Sequence, residues 1–412
     1  MTETKTLKNG VRVIIKRMEG LLSVTMGVLV GAGAAFETDR EDGISHFLEH
    51  MQFKGTPSRT AFGISDAFDA LGAQVNAFTG KDMTCYYAKA TSDHAAEAFA
   101  LLADLFLNSS FPQEELERER GVVLEEINMD EDTPEDLCLD LLSRTAFGNR
   151  GYGRNILGPS ENIKRFTRED LISYRNECYR PENCVISFAG NISSEEAFSL
   201  AECYFDDFSA SNFQKRMKSV DWQTGHAFKK KPIEQAHLAI GFPTVCRGSE
   251  MCPAVQVMNT ILGGGMSSRL FKRVREELGL AYAVYSYPSH YEETGMFTVY
   301  AGVNPQKAAD AKDAIVSVIE DFKRGGVTKE EFLRGREQAK SGSIFSQENT
   351  SSQMLIYGKQ MLYKNEVYDF EKRMAEISAL TLDDITRAVA ESFDFSRAVV
   401  VSVGNLEKGI TL

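Results

Sequence analysis

The fold is indicated by two seven-residue stretches that resemble each other, Gly72-Ala-Gln-Val-Asn-Ala-Phe78 and Gly279-Leu-Ala-Tyr-Ala-Val-Tyr285. Each copy starts with a glycine turn and then alternates as a strand does. Two further pairs of similar segments follow in the same order: 93–98 with 306–311, and 114–119 with 330–335. The pattern predicts an α+β protein made of two similar domains from an internal duplication. Each domain would have a mostly antiparallel or mixed sheet with helices packed on it.

The length of 412 residues also favours two domains over one. The periodic pattern weakens into polar and basic residues between Ser209 and Gln235. We therefore predict a first domain at 1–210, a linker at 211–232 and a second domain at 233–412. Hydrophobic residues make up 43% and charged residues 25% of the chain, which excludes a disordered chain, a coiled coil or a collagen-like repeat.

The charge balance bears on partners, since 46 basic and 59 acidic residues give a net charge of −13. An acidic surface argues against nucleic acid and anionic membranes as partners. It suits basic peptides, although bacterial cytosolic proteins are commonly acidic for solubility alone. No apolar run approaches a membrane span, and the first residues lack the apolar core of a secretory signal. The seven cysteines contain no C-x-x-C pair and are typical of a reducing compartment, so we expect a cytoplasmic protein.

The strongest chemical signal is His46-Phe-Leu-Glu49-His50, on a predicted helix near 43–53. Two histidines four apart on a helix share one face, so both can reach one cation. Imidazoles with a carboxylate suit Zn²⁺, and Glu49 could act as the general base towards a zinc-bound water. This order inverts the commoner H-E-x-x-H zinc helix. The alternative is chance, because random order gives the pattern in roughly one such chain in a hundred.

A further ligand has to come from another element, because a catalytic zinc usually takes three protein ligands and water. The predicted helix 113–129 offers Glu119 and Glu126, which are two turns apart on one face. Glu125 is rotated by about 100° and should face solvent. One of the two acids could bind the metal while the other holds a ligating imidazole. The alternative is an acidic, solvated helix without a site.

These residues carry a family resemblance. His46-Phe-Leu-Glu-His50-Met, followed by Phe53-Lys-Gly-Thr56 and by Glu126 farther along, resembles the pitrilysin family of inverted zinc peptidases. That family includes insulin-degrading enzyme and the mitochondrial processing peptidase. The chain is similar over nearly its whole length to the short bacterial members, which resemble the β-subunit of the processing peptidase. The resemblance implies one Zn²⁺ per chain held by His46, His50 and Glu126, with Glu49 as the base. It also implies that Glu119 contacts a ligand residue without binding the metal itself.

Two other motifs resemble parts of the family that contact substrate. Asn76, Ala77 and Phe78 resemble an edge strand that pairs with an extended peptide, which supplies main-chain hydrogen bonds to any sequence. The alternative for these three residues is an ordinary edge strand. Arg275 and Tyr282 resemble a pair that holds the substrate carbonyl and stabilises the developing oxyanion. The alternative for Arg275 is a surface charge on a helix.

The second half lacks the metal residues. Glu119 and Glu126 align with Gly335 and Gly342, and the helix near 257–262 has no histidine. One half would therefore bind the metal while the other shapes the substrate chamber. In long family members a further domain supplies the arginine and tyrosine. The resemblance thus implies a homodimer in which Arg275 and Tyr282 act in trans on the partner's zinc.

The sequence as a whole predicts a zinc metalloendopeptidase that hydrolyses unfolded peptides enclosed in a chamber, with a zinc-bound water activated by Glu49. Basic peptides are the substrates to test first, given the acidic chain. Two alternatives stay open. The chain could be a non-catalytic family member that binds peptides or forms a structural core, or a subunit that works only beside a different partner.

Overall fold

A computed structural model describes residues 2–209 and 221–412 of the chain. The chain divides into unit 1, with residues 2–127, 155–209 and 345–368, and unit 2, with residues 128–154, 221–344 and 369–412. These units differ from the contiguous domains expected at 1–210 and 233–412, because each contains a helical segment from the other half of the chain. Within the expected linker 211–232, residues 225–230 form a strand, and 211–220 lie outside the described residues.

Unit 1 is built on one six-stranded sheet. Its strands are β1 (Thr2–Thr6), β2 (Arg12–Arg17), β3 (Ser23–Val30), β4 (Gln74–Thr79), β5 (Thr84–Thr91) and β6 (Cys184–Gly190). Their order is β1-β2-β6-β3-β5-β4, with β2 and β6 parallel and the other neighbours antiparallel. The β-branched and apolar run of β3 is buried along nearly its whole length, as a central strand requires. In contrast, β4 lies at an edge and pairs only with β5 among the described strands.

Helices cover both faces of this sheet. They are α1 (Ile44–Gln52), α2 (Ala61–Ala70), α3 (Ala95–Asn108), α4 (Gln113–Asp132, which ends in unit 2), α6 (Ser160–Arg165), α7 (Arg168–Cys178), α8 (Ser194–Phe205) and α12 (Thr350–Lys364). The larger core lies on one face and includes Phe47 of α1 and Phe99 of α3. On the other face, Met354 and Tyr357 of α12 pack with Leu29 of β3.

Unit 2 repeats this plan with a five-stranded sheet. Its strands are β7 (Gly225–Lys230), β8 (Ala236–Thr244), β9 (Ala281–His290), β10 (Gly295–Val303) and β11 (Val399–Gly404). Their order β7-β11-β8-β10-β9 matches β2-β6-β3-β5-β4 strand for strand, and β7–β11 is again the parallel pair. The unit's helices are α5 (Pro134–Phe147), α9 (Cys252–Leu262), α10 (Ala308–Gly325), α11 (Lys329–Ser346), α13 (Phe370–Ala379) and α14 (Leu382–Ser392). The predicted duplicated α+β fold is therefore confirmed.

The two helices that come from the other half of the chain, α12 in unit 1 and α5 in unit 2, occupy equivalent places. In unit 2, α5 packs on β8 and β11, as α12 packs on β3 and β6 in unit 1. A sequence read segment by segment does not reveal this exchange, since both helices have ordinary amphipathic patterns. No described helix combines the length and apolar character that a membrane crossing needs.

The close packing of α12 gives a test of the fold. We expect Gly358→Val to lower the free energy of unfolding by about 1–3 kcal/mol, because it adds atoms to a filled contact. A Cβ atom at 358 would lie 2.8 Å from Leu29 Cδ1 and 3.1 Å from Ser187 Cβ. On α11, Gly342 is exposed and has no atom within 4 Å of that position, so Gly342→Ala should instead stabilise by about 0.5–1 kcal/mol. Urea unfolding measures both changes, and equal stability of Gly358→Val and the wild type would contradict the packing.

Candidate metal centre

The site is built on α1, whose start is held by a buried carboxylate. Gly43 precedes the helix with φ 96°, a left-handed conformation that glycine adopts without strain. Glu37 accepts hydrogen bonds from the backbone N–H groups of Gly43 (2.7 Å) and Ser45 (2.8 Å). Burial raises the pKa of Glu37 to about 7, although the hydrogen bonds with Ser45 and Gly43 oppose that shift. Glu37 thus satisfies backbone donors at the helix start that have no partner inside the helix.

The apolar residues of α1 decide which way its polar residues point. Phe47, Leu48 and Met51 are fully buried in the main core of unit 1. The 3.6-residue period then leaves His46 and His50 together on the other face. Their side chains are only 13% and 18% exposed, and the ring centroids lie 4.6 Å apart.

Glu126 of α4 completes a set of three possible metal ligands. Its Oε2 atom lies 3.6 Å from His46 Nε2 and 3.4 Å from His50 Nε2. In a tetrahedral zinc site with metal–ligand distances of about 2.0–2.2 Å, neighbouring ligand atoms are roughly 3.3–3.6 Å apart. The three residues are the only cluster able to hold a metal ion in the described ranges 2–209 and 221–412. The donor set and its spacing therefore fit Zn²⁺.

Glu119, two turns earlier on α4, contacts one imidazole and not both. Its Oε2 atom lies 3.1 Å from His50 Nδ1, and its Oε1 atom lies 2.7 Å from Lys54 Nζ. Burial alone would raise the pKa of Glu119, but the hydrogen bonds from His50 and Lys54 outweigh it and hold the pKa below its ordinary value. An ionised Glu119 accepts the Nδ1 hydrogen of His50 and so leaves Nε2 free as a ligand atom. Sequence spacing had left open which of the two acids takes which place.

The protonation of the two imidazoles differs. Burial, together with the charge of His50, lowers the pKa of His46 to about 3, so this ring is neutral at pH 7. Burial also opposes charge on His50, but Glu119 and then Glu126 raise its pKa above the ordinary value. A neutral imidazole is the form that binds a metal, so a metal ion competes with a proton at His50.

Glu49 lies on the same helix but makes a different contact. Its Oε2 atom accepts a hydrogen bond from Thr79 Oγ1 at 2.5 Å. Burial raises the pKa of Glu49, while the Thr79 hydrogen bond and the charge of His50 partly oppose the shift. A raised pKa suits a carboxylate that must take up and release a proton near neutral pH.

Asn76, Ala77 and Phe78 lie on β4, the edge strand that contacts α1. Asn76 is exposed, Ala77 packs against the main core, and Phe78 packs against the cluster beneath α12. An edge strand presents unpaired backbone groups along one side, so this place next to Glu49 permits the addition of another strand.

Lys54 and Thr79 were not indicated by any motif in the sequence. Each directly adjoins a motif that was recognised: Lys54 follows α1 in Phe53-Lys-Gly-Thr56, and Thr79 follows Phe78. No residue type or spacing marks them, since a lysine and a strand threonine are common. A polar residue one step beyond a recognised motif is the available signal.

Arg275 and Tyr282 come together in unit 2. Arg275 lies in a segment with π-helical hydrogen bonding, Phe271–Glu277, and Tyr282 is at the start of β9. The Arg275 guanidinium lies 4.7 Å from the Phe271 ring centroid and 5.5 Å from that of Tyr282. Tyr282 is 76% exposed. The two side chains thus form an accessible cation–π pair.

The part of unit 2 that corresponds to the metal cluster is apolar. A Cβ atom at Gly335, which aligns with Glu119, would lie 2.9 Å from Ile261 Cγ1 and 3.3 Å from Val257 Cγ1. Val257 and Ile261 are four residues apart on α9, as the two histidines are on α1. Aliphatic side chains and a glycine therefore fill the place that imidazoles and a carboxylate occupy in unit 1.

Comparison with known proteins identifies the class. The model for "Insulinase (Peptidase family M16)" matches residues 12–160, and the model for "Peptidase M16 inactive domain" matches residues 165–339. The chain therefore belongs to the M16 peptidase family, which confirms the pitrilysin-type, short two-domain resemblance seen in the sequence.

Individual relatives match nearly the whole length of the chain. A Bacillus subtilis protein described as "uncharacterized zinc protease YmxG" is 40% identical over 98% of this chain and 100% of its own. An "uncharacterized zinc protease" of Rickettsia bellii is 35% identical over 97% of both. The crystal structure of a protease from Helicobacter pylori has the same fold, with a TM-score of 0.92 at 23% identity over 98% of this chain and 99% of that one.

Proposed function

We propose that this protein is a zinc metalloendopeptidase that cleaves unfolded peptides. The observation that carries the proposal is the convergence of His46 Nε2, His50 Nε2 and Glu126 Oε2 at tetrahedral spacing, with the Glu49 carboxylate on the same helix. Membership of the M16 family and relatives described as zinc proteases support it.

His46, His50 and Glu126 would hold one Zn²⁺ per chain. When bound, such an ion polarises a peptide carbonyl and makes a water molecule more acidic. Glu119 would keep the His50 ring in the orientation and tautomer that direct Nε2 to the metal, and Lys54 would keep Glu119 ionised.

Glu49 would move the proton. Its carboxylate takes a proton from the attacking water as the water oxygen bonds to the carbonyl carbon. It then gives that proton to the amine nitrogen as the peptide C–N bond breaks, so one water is consumed and two chain ends form. Its half-buried position, and the pKa that burial raises, suit this exchange near neutral pH.

The peptide itself would add to β4 along Asn76, Ala77 and Phe78. Main-chain hydrogen bonds to an edge strand require an extended, unfolded substrate and place few demands on its sequence. A chamber that excludes folded proteins would likewise restrict the substrates to unfolded peptides. The acidic balance makes basic peptides the first class to test. The seven free cysteines support the cytoplasmic location that we propose.

Arg275 and Tyr282 would stabilise the oxyanion of a partner copy. Both are donors, they contact each other in unit 2, and Tyr282 is exposed. We therefore propose a homodimer in which this pair acts in trans. The alternatives are a non-catalytic peptide-binding protein and a subunit that needs a different partner.

The variant Glu49→Gln tests the assignment of Glu49 as the general base. Cleavage of a quenched, unstructured basic peptide by the zinc-loaded variant should be slower by about 10²- to 10⁴-fold, because an amide cannot take up the proton. Zinc content, measured by elemental analysis, should match the wild type. Cleavage by the variant at the wild-type rate would overturn the assignment of Glu49.

The wild type in the same assay decides between the functions. No cleavage by the zinc-loaded wild type would favour a scaffold or a partner-dependent subunit. An acidic peptide of the same length tests the charge preference, and equal rates on both peptides would contradict it.

Metal retention is tested with a matched pair on α4. Glu119→Ala should weaken Zn²⁺ binding by about 10- to 100-fold, because His50 loses the acceptor that orients its ring. Glu125→Ala removes an exposed carboxylate beside Glu126 and should leave the affinity unchanged. Competition with a chromophoric chelator measures both affinities. Equal affinities for the two variants would show that Glu119 plays no part in holding the metal.

Action in trans is tested by mixing two inactive variants, Glu49→Gln and Arg275→Ala. Random exchange makes half of the dimers mixed, and each mixed dimer has one complete site. Cleavage should therefore recover to about a quarter of the wild-type rate. Recovery would be absent if Arg275 served its own chain, or if the active protein were a monomer by size-exclusion mass.

A further inference from the structure

Thr79 makes the only hydrogen bond to Glu49 among the side chains of residues 2–209 and 221–412. Its hydroxyl donates to Glu49 Oε2 at 2.5 Å, in a partly buried setting. A hydrogen bond to an ionised acceptor is about twice as strong as one between neutral groups. Because only Oε2 is engaged, Oε1 stays available to accept a proton.

The backbone around Thr79 is held on two sides. Thr79 is the last residue of β4 and pairs with Thr84 of β5. The next residue, Gly80, donates its N–H to Met83 O at 2.8 Å, and its carbonyl oxygen accepts from Ala34 N–H at 3.2 Å. These bonds determine where the β4–β5 hairpin turns, and hence where the Thr79 side chain starts.

The alternation of β4 then directs Thr79 towards α1. Val75 and Ala77, at alternate positions before it, pack against the core to which α1 belongs. Thr79 is on that same face of the strand. Its β-branched side chain has few χ1 rotamers, so the hydroxyl has a defined direction. A glutamate side chain without such a donor would sample several rotamers.

We propose that Thr79 is a positioning residue for the reaction: its hydroxyl holds the Glu49 carboxylate in the orientation that proton transfer needs, and it does so from the strand that takes the substrate. The inference rests on the proposed peptidase function. A small displacement of a reacting group can cost about 10²-fold in rate, so one hydrogen bond is enough to matter.

The position of Thr79 on β4 gives the inference a specific kinetic signature. Thr79 follows directly after Asn76–Phe78, where the peptide would add, but its own hydroxyl points to Glu49 and not to the open edge. Its removal should therefore lower kcat and leave peptide binding intact. A role in substrate binding would raise KM, and a role in folding would lower Tm and zinc content.

The test compares three single variants with the wild type. Thr79→Val keeps the shape and removes the hydroxyl, and Thr79→Ser keeps the hydroxyl and removes a methyl group. Thr91→Val is the matched control, because Thr91 ends the neighbouring strand β5, is exposed and makes no side-chain hydrogen bond within the described part of the chain. Each protein is measured for kcat, KM, Tm, zinc content and, as metal-free protein, affinity for a fluorescein-labelled peptide.

We expect Thr79→Val to lose about 10- to 100-fold in kcat with an unchanged KM. Thr79→Ser should recover most of that loss, and Thr91→Val should match the wild type. Tm, zinc content and peptide affinity of the metal-free protein should be the same in all four proteins.

Four results would overturn the inference while leaving the peptidase function in place: an unchanged kcat in Thr79→Val, a raised KM in place of a lowered kcat, an equal loss in Thr79→Ser, or a loss that follows Tm or zinc content. Absence of cleavage by the zinc-loaded wild type would instead overturn the proposed function, and the role of Thr79 with it.

Discussion

The burial of one face of α1 is the constraint on which the site depends. Phe47, Leu48 and Met51 have to enter the core of unit 1, and their burial rotates His46 and His50 towards α4. A polar group that is buried without a partner is costly, so the partly buried imidazoles favour polar neighbours. Glu119 of α4 supplies one for His50 Nδ1, and Glu126 lies beside both Nε2 atoms, whereas His46 Nδ1 has no hydrogen-bond partner among the described residues. Apolar packing and the candidate metal site are thus set by the same helix orientation.

Unit 2 shows that this arrangement of strands and helices does not require a cluster of histidines and carboxylates. It has the same strand order and corresponding helices, yet Val257 and Ile261 pack directly on Gly335 where unit 1 has histidines and a carboxylate. Aliphatic packing satisfies the fold with no polar group to pair. The fold therefore does not require the histidines and carboxylates of unit 1, which supports a functional explanation for them. The match of residues 165–339 to an inactive-domain model agrees with this difference.

Much of the fold was predictable because the signals are local. The repeated segments begin β4 and β9, and the two similar helical pairs begin α3 with α10 and α4 with α11. The exchange of α5 and α12 between the sheets was not predictable. An amphipathic helix shows that it has an apolar face, but its pattern does not say which of two similar sheets will cover that face.

For the site, the sequence alone indicated the candidate ligands, the shared face of His46 and His50, and the shared face of Glu119 and Glu126, because helical periodicity depends only on spacing. Only the tertiary structure decided that Glu126 faces both imidazoles while Glu119 faces His50 and Lys54. The same holds for Thr79, which reaches Glu49 across 30 residues of chain. Such pairings depend on how separate elements pack, and the spacing within one element carries no information about its neighbour.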